Sequence, residues 1–197
     1  MRMVLAVMFM STFWGVPLGQ VNYLKKGNQY LDSEKYAKAE KVFRDAIKSD
    51  STDLTYRCQL SLALMNQGKH EEAEETIEYV LAQDSTDVGA LWYGGMNSYL
   101  DKKGDLRKAV SYFERALLHL DKEQDQYYSA NWSIGKAYQM LLQTDGLTYD
   151  EVSRMLECYS IYVQLQPEAN DAGTISQFVQ RIKENRAPRN VKKWISK

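Results

Sequence analysis

The sequence predicts an all-α fold built as an array of helix pairs, and three observations predict it. The tetrapeptide Asp50-Ser51-Thr52-Asp53 recurs as Asp84-Ser85-Thr86-Asp87, a step of thirty-four from position 50 to position 84, and a fixed period in this range marks stacked repeats. Apolar positions such as Ala39, Val42, Phe43, Ala46 and Ile47 fall at helical spacing with charged residues between them, and no stretch alternates as a strand would. The chain has only 3 prolines and 11 glycines in 197 residues, too few for the many turns of a β-sandwich.

Taking the elements in order, the first unit (20–53) carries Tyr23, Gly27, Tyr30, Tyr36, Ala39, Phe43 and Ala46. The second (54–87) keeps Leu60, Leu64, Ala73, Ile77 and Val80 in the same phase, with Ser61 where the first has glycine. The third (88–121) carries Gly95, Ala109, Phe113 and Ala116, its second helix two residues late, the surplus placed in the turn 101–105. The fourth (122–170) carries Gly135, Tyr138, Met155, Tyr159, Tyr162 and Pro167, with a turn through Gln143–Thr148 expected to be eight residues longer; loops tolerate such growth because closure entropy rises slowly with length. Small residues at Ala39, Ala73, Ala109 and Ala116 let antiparallel helices approach, and Phe43, Ile77, Phe113 and Tyr159 fill the space beyond them. Ser51, Thr52 and Asp53, and likewise Ser85, Thr86 and Asp87, are suited to cap the helix that follows. A last helix over 171–185 sets Ile175, Phe178, Val179 and Ile182 on one face, as a terminal cap requires.

The order aromatic, Gly, Tyr, Tyr, Ala, Phe, Ala in the first unit resembles the tetratricopeptide repeat family, and the resemblance extends over roughly 20–170. It implies a right-handed superhelical solenoid of about four helix pairs plus a C-terminal capping helix. It also implies that the first helix of each pair lines a concave groove that takes an extended or helical peptide. The inward positions are then Leu24, Asn28 and Leu31; Cys58, Leu62 and Met65; Trp92, Met96 and Tyr99; and Trp132, Lys136 and Met140. Some relatives grip a C-terminal carboxylate with lysine, asparagine and arginine. Asn28 matches one such position, but Leu24, Gln59, Trp92 and Met96 occupy the others, so a carboxylate clamp is not expected. The lining is apolar, aromatic and methionine-rich, which suits a hydrophobic or amphipathic peptide. Two alternatives stand beside this: the groove residues pack against one another, or the C-terminal tail folds into the groove.

Chemistry of the catalytic kind finds no support. His70 and His119, placed in the turn of the second unit and at the end of the third unit's second helix, have no cysteine or second histidine at metal-ligand spacing. Glu71-Glu72 and Glu74-Glu75 lie on a solvated helix face, where nothing tunes a carboxyl for acid–base work. Gly94-Gly95 belongs to a helix rather than a phosphate loop, and Asn131-Trp132-Ser133 falls within a helix and is discounted as a glycosylation site. No metal or cofactor is expected. A formal net charge of -1 supplies no field for nucleic acid.

Residues 1–19 stand apart. Met1 and Arg2 precede an apolar run from Met3 to Leu18, and the next charge is Lys25. This pattern predicts a secretory signal with cleavage after Gly19, the alternative being an uncleaved N-terminal anchor. No cysteine occurs before Cys58, so this end offers no thiol for a lipid. Export permits disulfides, but Cys58 and Cys158 fall two units apart, and both are expected to be buried thiols. The tail 186–197 is basic: seven basic residues and one acidic lie between Arg181 and Lys197. It is expected to be solvated, with contact to a membrane surface or an acidic partner as the other reading.

The function expected is a non-catalytic protein–protein interaction scaffold of the cell envelope, periplasmic or secreted, whose partner is another protein or peptide. A structural subunit working through its convex face and an enzyme accessory on a repeat fold are the alternatives.

Overall fold

A computed structural model describes residues 18–101 and 104–195, with side chains from Tyr23 on. Among the described residues there are nine α-helices and no strand: α1 (Leu18–Asp32), α2 (Tyr36–Ser49), α3 (Leu54–Met65), α4 (His70–Gln83), α5 (Val88–Leu100), α6 (Leu106–Leu117), α7 (Asp125–Thr144), α8 (Tyr149–Leu165) and α9 (Ala172–Asn185). None is long and apolar enough to cross a membrane. The expected export segment lies almost wholly outside the described residues. The chain divides into two compact units, one up to Tyr93 and one from Gly94 on.

In the first unit α1 packs on α2, α2 on α3 and α3 on α4. The contact that sets the α1–α2 distance is glycine against ring: a β-carbon on Gly27 would come within 2.2 Å of Phe43 Cζ. In α3 and α4 the corresponding residues are Ser61 and Ile77, both buried, a slightly larger residue facing a smaller partner position. Capping repeats with the period. Asp50 accepts from the Thr52 amide and hydroxyl at 3.0 and 2.7 Å, and Asp84 accepts from those of Thr86 at 2.9 and 2.7 Å. Asp53 then accepts from the Thr55 amide and Asp87 from the Ala90 amide, closing orphan donors at the start of α3 and α5.

The helix ends repeat as well. Lys35 N–H donates to the Tyr30 carbonyl across Glu34, and Lys69 N–H to the Leu64 carbonyl across Gly68. Both bridging residues are left-handed, Gly68 at φ 75° and Glu34 at φ 56°. The glycine suits that conformation; the glutamate, thirty-four positions earlier, adopts it against steric preference. Between α2 and the α3–α4 turn, Glu40 receives Lys69 at 2.7 Å, Gln67 at 2.9 Å and Arg44 at 2.9 Å. Burial raises the Glu40 pKa, but these three partners outweigh it and hold the carboxyl down at about 2.

In the second unit α6 packs on α7, α7 on α8 and α8 on α9. Gly95 lies against Phe113 and Gly135 against Tyr159, each 2.6 Å from a ring carbon if given a β-carbon. The expected long turn at 143–148 is cut to 145–148, the length of an ordinary helix–helix connection, because its first residues belong to α7. α7 runs on to Thr144 because Leu141 and Leu142 bury against the cluster that includes Val152 and Leu156, and no helix-breaking residue intervenes before Gly146. Gly146 stops it in a left-handed conformation at φ 79°, its N–H donating to the Leu141 carbonyl at 2.7 Å. Thr148 and Glu151 then form a reciprocal capping box that starts α8. The inserted residues therefore lengthen helices rather than a loop. α9 closes the cluster with Ile175, Phe178, Val179 and Ile182, all buried, Phe178 meeting Tyr159 edge to face at 5.9 Å.

Over its described part the basic tail is largely exposed, as expected, but it is anchored at one point. Leu147 and Trp194 exchange backbone hydrogen bonds as an isolated antiparallel bridge, and Trp194 packs against the α7–α9 cluster. His70 opens α4 instead of lying in the turn before it, and His119 is exposed just beyond α6. Cys58 and Cys158 are free and buried. Burial pushes both thiols up, Cys158 to about 12, so neither is an activated nucleophile.

Candidate peptide-binding face

The residues expected to line the groove sit on first helices of the pairs, and burial sorts them. In the first unit α1 presents Leu24 and Leu31 partly exposed and Asn28 exposed. These positions fall at i, i+4 and i+7, one stripe of a helix, and Gly27 on the adjoining flank of the same helix faces Phe43. On α3, Leu62 is partly exposed, but Met65 is only 6% and Cys58 7% exposed, and Trp92 at the start of α5 is 6% exposed. Those three support the surface from beneath. Cys58 Sγ lies 3.6 Å from the Asp87 carboxylate, the residue that also caps α5, so this part of the lining is tied to the helix start.

In the second unit Met96 and Tyr99 are partly exposed on α5, followed by Leu100 at 50% exposure. α7 carries Trp132, Lys136 and Met140 at successive fourth positions, one stripe again, with Met140 38% exposed and the other two partly so. Trp132 is not free to swing. Its indole N–H donates to Asp171 Oδ2 at 2.9 Å, while Tyr162 O–H donates to Asp171 Oδ1 at 2.7 Å. The carboxylate at the start of the capping helix thus orients the tryptophan and fixes one end of the stripe. Burial raises the pKa of Tyr99, so it presents a neutral hydroxyl.

Asn131 is wholly buried and donates to the Tyr127 carbonyl at 2.8 Å, a placement that admits no glycan. Asn28 stands without the lysine and arginine of a carboxylate clamp, and Gln59 is hydrogen-bonded to Tyr93. Among the described residues no group of three or more His, Cys, Asp or Glu is placed to hold a metal ion. Two residues of the site escaped sequence reasoning. Asp171 is thirty-nine positions from Trp132 and off the repeat pattern, so nothing in the spacing announces it. Leu100 was legible as an apolar residue at a helix end, a position usually given to polar ones.

Residues 24–93 match the tetratricopeptide repeat family. No curated protein matches the chain. Among solved structures it resembles the MamA protein, with 17% identity and a TM-score of 0.65 over 85% of this chain and 84% of that one. It also resembles pilF of Pseudomonas aeruginosa, with 16% identity and a TM-score of 0.64 over 84% and 69%. A tetratricopeptide repeat protein from Parabacteroides merdae aligns at 12% identity and a TM-score of 0.62 over 86% and 62%. At these identities the likenesses speak for the fold.

Proposed function

We propose that this tetratricopeptide repeat protein is a non-catalytic scaffold of the cell envelope that binds a hydrophobic or amphipathic segment of a partner protein along the first helices of its pairs. One observation carries the reading: apolar residues stand partly or largely exposed in helical register on first helices of the pairs. Leu24 and Leu31 flank Asn28 on α1, and Met140 continues the Trp132–Lys136 stripe on α7. A methionine and a pre-oriented tryptophan suit a partner face of irregular apolar shape. Lys136 adds a single cation, which favours an amphipathic partner with an acidic residue near that point.

The test uses Leu31 and Met140, since Trp92 is buried and replacing Trp132 would also break its bond to Asp171. Leu31→Glu and Met140→Glu leave the core untouched. Each should cut capture of envelope proteins by the purified chain by about tenfold at an unchanged melting temperature, the cost of truncating one interface anchor; unchanged capture by both would overturn the reading. Export rests on the cationic start and the apolar run from Met3 to Leu18. Sequencing the protein recovered from cells should begin at Gln20, whereas a start at Met1 would contradict cleavage.

A second reading is favoured by the burial of Met65 and Trp92 and by the Trp132–Asp171 bond. On this reading the chain is a structural subunit whose first-helix faces are largely satisfied internally and whose partners meet its second helices. It predicts that Leu31→Glu and Met140→Glu are silent.

A further inference from the structure

We propose that the turn between α7 and α8 is a second peptide-binding site, occupied in this chain by its own C-terminal segment and open in exchange to an extended basic segment carrying a tryptophan. The inference does not rest on the reading of the first-helix faces.

The backbone supplies the recognition. Leu147 N–H donates to the Trp194 carbonyl at 2.9 Å and Trp194 N–H to the Leu147 carbonyl at 2.8 Å, the hydrogen-bonded pair of an antiparallel ladder. An extended segment is thereby added to an all-helical protein by strand pairing, a mode that accepts foreign peptides because it reads main chain. Gly146 makes the approach possible: a β-carbon there would stand 2.9 Å from Ile195 Cγ1 and 3.1 Å from the Trp194 carbonyl oxygen.

The side chains supply the selectivity. Trp194 packs against the cluster that holds Leu147 and Val152, both at most 1% exposed. Around this seat the turn offers anions and a ring. Asp145 takes Lys193 at 2.9 Å and Asp150 takes Arg189 at 3.5 Å. The Arg186 guanidinium lies 3.4 Å over the Tyr149 ring and donates to the Tyr149 carbonyl and the Ser153 hydroxyl. Arg189 lies over the same ring at 4.9 Å. The chemistry selected is therefore a cation, a tryptophan and an aliphatic residue in sequence, with further cations upstream, as in Arg189 and Lys193-Trp194-Ile195.

The hold is suited to exchange. α9 ends at Asn185, and from Arg186 to Ile195 the segment makes one internal turn, Val191 N–H donating to the Pro188 carbonyl, and is tied through its backbone to α7–α8 at Trp194 and Leu147. The side chains of Arg189 and Lys193 are 78% and 50% exposed, so each ion pair adds at most about 1 kcal/mol. That is enough to choose between segments and too little to lock one in, and reversing either charge turns the attraction into repulsion. Ile195 is 51% exposed. Occupancy depends on the tether, which supplies an effective concentration on the order of millimolar, and a competing segment needs only to overcome that.

The experiment titrates a fluorescein-labelled peptide of residues 186–197 into the full chain and into two variants that vacate the seat, Trp194→Ala and Lys193→Glu, each checked for helicity by circular dichroism. Saturable binding at least ~10-fold tighter to both variants than to wild type is expected, since the tether no longer competes. Adding Asp145→Lys to Trp194→Ala should abolish it, and a peptide carrying Trp194→Ala should not bind. Absence of saturable binding to both folded variants, equal affinity for wild type and variants, or binding indifferent to Asp145→Lys would each overturn the proposal.

Discussion

Gly27 and Phe43 occupy one another's space: a β-carbon on the glycine would lie 2.2, 2.4 and 2.8 Å from three atoms of the ring. Gly27→Ala gains about 1 kcal/mol of helix propensity and costs about 1–3 kcal/mol in overpacking, so it should be destabilising by about 1 kcal/mol in urea unfolding. In a Phe43→Leu background the same change should be neutral or stabilising, because the ring that it strikes is gone. Loss of the same size in both backgrounds would mean that the contact does not set the helix spacing.

This pair also shows why so much of the fold was legible. Gly27 with Phe43, Gly95 with Phe113 and Gly135 with Tyr159 are local in sequence, each helix meeting the next one, so the repeat spacing carries the tertiary contact. The capping aspartates Asp53 and Asp87 were legible for the same reason. What the spacing could not carry is long-range. Asp171 reaching Trp132 and Trp194 pairing with Leu147 join segments outside the repeat, and the extension of α7 to Thr144 depends on Leu141 and Leu142 finding partners in α8. The face residues were named by position alone. Burial then separates exposed Asn28 and Met140 from Met65 and Trp92, which lie beneath the surface.

Glu34 holds a left-handed conformation at φ 56° where the next repeat places Gly68 at φ 75°. Relief of that strain, about 1–2 kcal/mol, less the greater unfolded-state freedom of glycine, gives a net gain of about 0.5–1 kcal/mol for Glu34→Gly. Chemical denaturation should show a higher midpoint with an unchanged slope. Gly68→Glu should show the opposite.

Glu40 titrates far below its ordinary 4.5 because Lys69, Gln67 and Arg44 together outweigh the desolvation that raises it. A carboxyl depressed in the folded state contributes stability that is complete above the unfolded pKa and is lost as the pH falls through the folded one. The window is therefore from about 4.5 down to about 2. Lys69 and Arg44 are 40% and 43% exposed, so solvent screening reduces the benefit, and Glu40→Gln should cost about 1 kcal/mol at neutral pH. Its unfolding free energy should converge with that of wild type at the acid end of that window. A constant gap across it would contradict the assignment.

Asp171 receives both the Trp132 indole and the Tyr162 hydroxyl. Asp171→Ala should cost about 2 kcal/mol, the value of hydrogen bonds to a charged group, and should red-shift the tryptophan emission as Trp132 gains solvent. Asp171→Asn, which keeps one acceptor, should lie between the two. An unchanged spectrum would mean that the tryptophan is held by packing alone.

The central claim is that the exposed and partly exposed first-helix residues receive a partner segment, and site-specific photo-crosslinking tests it most directly. A benzophenone side chain at Leu31 in the first unit, at Met140 in the second, and at Leu118, which is 79% exposed at the end of α6, would be irradiated in cells. Adducts from positions 31 and 140 to a defined hydrophobic or amphipathic segment, with none from 118, are the predicted result. Adducts from 118 alone, or from none of the three, would contradict the account.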